Sequence, residues 1–251
     1  MNAEVWLPLF GAGLCAGFID AVAGGGGMIS VPALFWAGLP PHLALGTNKL
    51  QSSVGTLIAV WHYLRSGWVE GRELGRVVGV TFACAVAGTL CLTRVDNELL
   101  GRVIPWLLLL VATHALFSPR FGEENREPKV GAGPFAWMAG TTLGFYDGFF
   151  GPGTGAFWTM GWISLRGKSL AGATAATKVV NLASNLAALC VFLPAGLARY
   201  DLAGAMIGGQ LLGARLGAGL AVRHGALFIR RIFLGAVFAM VLKLLWEQWG
   251  S

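Results

Sequence analysis

Residues 17–53 read GFIDAVAGGGGMISVPALFWAGLPPHLALGTNKLQSS, and residues 144–185 read GFYDGFFGPGTGAFWTMGWISLRGKSLAGATAATKVVNLASN. The second stretch restates the first: Asp20 answers to Asp147, Gly24 to Gly151 and Lys49 to Lys178, at nearly constant separation. In each, an apolar run carries one aspartate, breaks at a group of glycines, and resumes as a short apolar segment. A longer segment bearing a lysine follows. A chain that writes this unit twice is organised around what the breaks and the lysines do together.

Both stretches sit in a bilayer protein's composition. The chain is 55% hydrophobic and 12% charged, against about 25% charged in a soluble domain. Residues 21–48, 77–93, 103–119 and 179–198 carry no charge at all. A crossing helix needs about 20 mainly apolar residues, somewhat fewer where flanking arginines reach the interface. The 38 glycines and 10 tryptophans also fit, since glycine lets membrane helices approach and tryptophan favours the interface. The expectation is an all-α polytopic membrane protein of about 8–10 membrane segments. Spans are expected near 5–22, 28–40, 42–64, 75–93, 99–118, 131–149, 154–165, 169–195, 202–222 and 231–248.

The formal net charge of +6 belongs to loops, as bilayer orientation requires, and no basic run is interleaved with aromatics, so no nucleic-acid partner is expected. Cys15, Cys84, Cys91 and Cys190 lie within apolar runs without a C-x-x-C pair and read as small buried side chains. His42, His62, His114 and His224 show no metal-ligand spacing. Nothing calls for a metal, a cofactor or a catalytic set. The N-terminal run lacks a basic leader and a small-residue cleavage site, so it reads as a first span rather than a removable signal.

Domain organisation follows from the repetition: residues 1–118 form a first transmembrane repeat, 119–130 a cytoplasmic linker and 131–251 a second repeat. The second segment of each repeat is too short to cross unaided and is either a half-helix or one arm of a re-entrant hairpin. Irregular backbone at membrane depth survives only where protein buries it or it lines a cavity. Either choice gives each half an odd number of crossings, so the repeats are expected to be inverted. Placing both termini outside puts Arg65, Arg72, Arg76, Arg120, Arg126, Lys129, Arg166, Lys168, Arg223, Arg230 and Arg231 on the cytoplasmic side. Only Arg94, Arg102, Arg199 and Lys243 then lie outside, as the positive-inside rule demands.

Inverted repeats with interrupted helices are a recurring transporter architecture, with sites near the midplane where half-helix N-termini face anionic groups. Gly24, Gly25, Gly26 and Gly27, and Gly151, Gly153, Thr154 and Gly155, stand just before the short segments, where open backbone N–H groups and the helix dipole favour an anion. Lys49 and Lys178 lie well inside apolar segments, where an ammonium costs a few kcal/mol and must face a cavity or a partner. Thr47, Asn48, Gln51, Ser52 and Ser53 accompany the first lysine; Thr177, Asn181, Ser184 and Asn185 share a helical face beside the second. Asp20 and Asp147 can pair with the lysines, bind or relay a proton, or pin the broken helix ends. Arg215 can be a third cationic contact or reach back to the interface. The expected partners are a small anionic substrate and the lipid bilayer. Small-residue patches at 11–17 and 212–219 can pack helices within one subunit or between two, so a homodimer is possible.

The motif G-F-x-D-x-x-x-G-G-G-G with Pro32, followed by A-L-G-T-N-K-L-Q, resembles the first repeat of the TauE/SafE sulfite-exporter family of membrane transporters. G-F-Y-D-G-F-F-G-P-G-T-G followed by A-A-T-K-V-V-N-L-A-S-N resembles its second. The resemblance spans nearly the whole chain. It implies a bacterial-type inner-membrane permease for sulfur-containing anions such as sulfite or sulfoacetate. The glycine turns, Asn48, Lys49, Lys178, Asn181 and Asn185 are the positions that match the family's motifs. Ala176-Thr177 stands where the first repeat has Thr47-Asn48, so the two half-sites differ chemically. A secondary transporter of a small sulfur oxyanion is the expected function; a passive anion channel or a carrier of another small solute remains as an alternative.

Overall fold

A computed structural model describes residues 3–69, 74–116 and 125–249. Arg72, Arg120 and the first half of the expected linker lie outside them, and the side chains of Arg230, Arg231 and Lys243 are likewise not described. Among the described residues the chain is helical without strands: α1 Ala3–Ala23, α2 Gly27–Trp36, α3 Pro41–Arg65, α4 Leu74–Leu92, α5 Asn97–Leu116, α6 Ala132–Phe149, α7 Thr154–Arg166, α8 Leu170–Phe192 and α9 Tyr200–Trp249. The chain is an all-α polytopic membrane protein.

Local chemistry sets the boundaries. Pro41 opens α3, where its missing N–H costs nothing and its fixed φ suits the first turn. Ser169 caps α8 by accepting from the Gly172 N–H at 3.3 Å. The short segments are as brief as expected: α2 has 10 residues and α7 has 13. At 1.5 Å per residue they reach roughly 15 and 20 Å, short of a hydrocarbon core of about 30 Å.

One expected pair of spans is not separate. Residues 202–222 and 231–248 fall within a single 50-residue helix, α9. The arginines at 223, 230 and 231 read as a loop, yet the stretch between them holds a single glycine and no proline, too little to stop a helix.

Helices α1, α4, α8 and the Tyr200–His224 part of α9 are long and apolar enough to cross a bilayer. Helix α3, 25 residues long, is not among them because polar residues occupy its middle. Burial identifies the centre: 72% of α8 is buried, against 33% of the spanning parts of α1 and α4. Helix α8 packs on α3, and the two are flanked by α9 and α4. Helix α1 lies along α9, and α6 lies along α4.

The small-residue patches are used inside the chain. A Cβ on Gly209 or Gly213 would come within 2.0 Å of the Phe10 or Leu14 carbonyl oxygen, and one on Gly148 within 2.0 Å of the Ala85 oxygen. Backbones in contact at that range gain dispersion that larger side chains would block.

The outer surface is apolar, with Leu7, Trp36, Trp106, Leu110 and Trp137 all exposed. Such a surface suits lipid rather than water. The cysteines correct the sequence reading: Cys15, Cys91 and Cys190 are exposed and Cys84 half-buried. In a bilayer protein an apolar run marks the lipid face as readily as the core, which is why burial did not follow from their neighbours. Conversely Trp158 and Trp162 are fully buried against Phe135, between α6, α7 and α8, rather than at an interface.

Candidate functional site

The two glycine breaks meet back to back. Gly24, at φ +77°, lies against Gly155: a Cβ on Gly155 would sit 2.5 Å from the Gly24 carbonyl oxygen, and one on Gly24 would sit 2.8 Å from the Gly155 Cα. Gly27 packs on Pro152. No other residue type allows this approach, and at Gly24 none adopts the backbone without strain. The contact brings the start of α2 beside the start of α7, and a polar cavity of about 30 Å³ lies next to it. That volume holds about two waters.

Helix α3 supplies one wall. Asn48, Ser52 and Thr56, spaced four residues apart, line the cavity with Lys49. The Asn48 side-chain oxygen accepts from Ser30 Oγ, from Gln51 Nε2 at 2.9 Å and from Ser52 Oγ at 3.3 Å. With the oxygen so occupied, its amide N–H groups are left for the cavity. Helix α8 supplies the facing wall through Asn181 and Asn185, and the Asn181 oxygen has no hydrogen-bond partner among the described residues. Thr177 and Ser184, on the same expected face, turn elsewhere: Thr177 meets Thr159 of α7 at 3.1 Å, and Ser184 donates to Asp147.

The lysines are not bare charges: pairing with the aspartates, one of the roles the sequence left open, is what the structure shows. Each pairs with the aspartate of the other half. Lys49 Nζ donates to Asp147 Oδ1 at 2.6 Å and to Asn185 Oδ1 at 3.1 Å. Lys178 Nζ lies 3.0 Å from Asp20 Oδ2, within ion-pair range but off the hydrogen-bond angle, since the amine has no acceptor in hydrogen-bond geometry. Burial explains the pairing, because a bare ammonium or carboxylate at this depth costs several kcal/mol. Long contacts of 3.5 Å, Asn185 Nδ2 to Thr56 Oγ1 and Thr56 Oγ1 to Asp20 Oδ2, join the two pairs into one chain of polar groups.

The pairs differ. Lys49 and Asp147 both line the cavity; of the second pair Asp20 lines it, whereas Lys178, fully buried, does not. Gly151, at φ +93°, holds backbone against the first pair, and a Cβ there would lie 3.0 Å from Lys49 Nζ and 3.2 Å from Asp147 Oδ1. Of the expected residues at the breaks, Gly24, Gly27, Gly151, Gly153 and Gly155 line the cavity; Gly25, Gly26 and Thr154 do not. Gly26 instead packs on the Ala16 oxygen and Asp20 Cβ, and Thr154 Oγ1 donates to the Gly151 oxygen at 2.6 Å. Arg215 is exposed and makes no part of the site. Thr56 was missed, although its four-residue spacing from Ser52 and Asn48 marks the same face.

Comparison with known proteins places this geometry. Residues 9–244 match the family model described as sulfite exporter TauE/SafE. A Haemophilus influenzae protein named "Probable membrane transporter protein" is 39% identical over 240 residues, covering 96% of this chain and 94% of the relative. The Escherichia coli K12 "Probable membrane transporter protein YfcA" is 37% identical over 243 residues, covering 97% and 90%. A Sinorhizobium "Probable membrane transporter protein ORF9" is 39% identical over 237 residues, covering 94% and 91%. No solved structure matches the chain. With a family match over nearly its whole length and the broken helices enclosing a polar cavity, the chain is a membrane transporter of the sulfite exporter TauE/SafE family.

Proposed function

We propose that the protein carries a small sulfur oxyanion, sulfite or an organosulfonate, by alternating access about the cavity between α3 and α8. The observation that carries this reading is Lys49 Nζ on the cavity wall with the amides of Asn48, Asn181 and Asn185 and the Ser52 hydroxyl around it. Asp20 and Asp147 line the same cavity. Once Asp147 gives up the Lys49 amine, that ammonium with the amide and hydroxyl donors about it suits an anion with several oxygens, each able to accept a hydrogen bond. Gly151 and Gly153, ahead of α7, add backbone and the positive end of a helix dipole on the same side.

The arrangement favours a carrier over a pore. With room for about two waters, the cavity is a local pocket at the breaks rather than a wide water-filled path. The pairing of Lys49 with Asp147 on the cavity wall supplies a bond that breaks and re-forms as the halves move, while Lys178 and Asp20 form a second contact across them. Two inverted repeats at 1–118 and 131–251, joined by a linker at 119–130, are part of this proposal, supported by that reciprocal pairing and by α1 lying on α9 as α6 lies on α4. So is a cytoplasmic-membrane location with the N-terminus outside, supported by the arginine distribution. Equilibrium binding of sulfite, sulfoacetate, taurine and thiosulfate to the purified protein tests the substrate class. Saturable binding of at least one anion is expected; binding of none, or flux at channel rates, refutes the proposal.

A further inference from the structure

The charges in the site sum to zero before any substrate arrives. Lys49 and Lys178 face Asp147 and Asp20, and the other side chains lining the cavity are neutral. An anion entering adds an uncompensated negative charge to a buried site, which costs several kcal/mol. Lys49 is the cation within its reach, and Asp147 already occupies that amine at 2.6 Å. The anion and the Asp147 carboxylate therefore compete for one ammonium.

Asp147 has nowhere to take its charge. Its side chain is 5% exposed, and it sits in the last turn of α6, where Gly148 is pressed on the Ala85 backbone. The groups facing it are few. Helix α3 brings Lys49; α8 brings Ser184 and Asn185. Helix α4 brings Thr89, whose hydroxyl bonds the Gly148 oxygen at 2.8 Å, and Ala85. On its own helix the Tyr146 hydroxyl is engaged with the Pro152 oxygen at 3.0 Å. Asp20 lies beyond Thr56, on the cavity wall, where Lys178 behind it holds its charge. None can neutralise a carboxylate that Lys49 has left.

Resting on the anion reading above, we propose that Asp147 binds one proton as Lys49 is handed to the anion, so that anion and proton cross together. The proton comes from water on the side to which the cavity opens and forms an O–H bond on the carboxylate. When the anion leaves on the far side, that bond breaks, the proton passes to water there, and the Lys49–Asp147 pair re-forms. Asp20 also lines the cavity, but its partner Lys178 does not reach it, so the anion cannot draw that ammonium away and the Asp20–Lys178 pair stays ionised throughout.

Titration calorimetry of the purified protein with sulfite and with methanesulfonate, in buffers of different ionisation heat, counts the protons after subtracting the anion's own. About one proton should be taken up per monoanion, and Kd should rise about tenfold per pH unit toward the alkaline side. Asp147→Asn should abolish proton uptake and flatten the pH profile. Anion binding without proton uptake by the wild type overturns the inference whether or not the variant folds, and leaves the anion reading standing. Unchanged uptake in Asp147→Asn also overturns it. Binding of neither anion removes the anion reading and this inference with it.

Discussion

Replacing Lys49 by alanine takes the ammonium from beside Asp147 and leaves a carboxylate whose side chain is 5% exposed, with Ser184 as its remaining donor. Losing one partner of a buried ion pair costs about 3–5 kcal/mol, most of it the penalty on the charge left behind. Asp147→Ala should cost a similar amount, because Lys49 then keeps only the Asn185 oxygen at 3.1 Å. Removing both leaves no orphaned charge, so the double variant should be more stable than either single one. The coupling energy from the double-mutant cycle should reach at least about 3 kcal/mol. Reversible unfolding in mixed micelles of rising dodecyl sulfate content, followed by circular dichroism, gives the four stabilities. Additivity within about 0.5 kcal/mol would mean that the Lys49–Asp147 pair does not form.

Other perturbations test neighbouring parts. Gly155→Ala places a methyl 2.5 Å from the Gly24 oxygen; with rigid backbone on both sides it should cost about 1–3 kcal/mol and stop transport, measurable as lost thermal stability and flux. Thr56→Val cuts the link between the two ion pairs at both 3.5 Å contacts; stability should fall by about 1 kcal/mol, with a larger effect on transport rate than on anion affinity. Asn48→Ala removes the amide whose oxygen is held by Ser30, Gln51 and Ser52, and should weaken anion binding about tenfold, read by titration calorimetry.

Much of the architecture could be read before any coordinates. Charge-free runs gave the helical membrane class, and the repeated aspartate–glycine–lysine order located the residues that meet at the centre. What sequence could not give was partnership. Asp20 and Lys178, like Asp147 and Lys49, are far apart in the chain, and repetition alone suggests pairing within a repeat as readily as across. The structure pairs them across, because α3 and α8 stand side by side and each faces the other half's broken helix. Periodicity marked Thr177 for the site, yet Thr159 on α7 claims it, a contact that no spacing within α8 could reveal. The cysteines failed for a different reason. Apolar neighbours predict burial in water-soluble proteins, whereas in a bilayer both the lipid face and the core are apolar.

The Lys49→Ala/Asp147→Ala protein separates structure from function, since it should retain the fold while lacking the one ammonium on the cavity wall. Uptake of radiolabelled sulfite into proteoliposomes, wild type against this double variant at matched reconstitution, asks directly whether an anion is held there. Saturable uptake by the wild type and a drop of at least about tenfold in the folded double variant is the expected outcome. Equal uptake by both would show that the anion travels elsewhere.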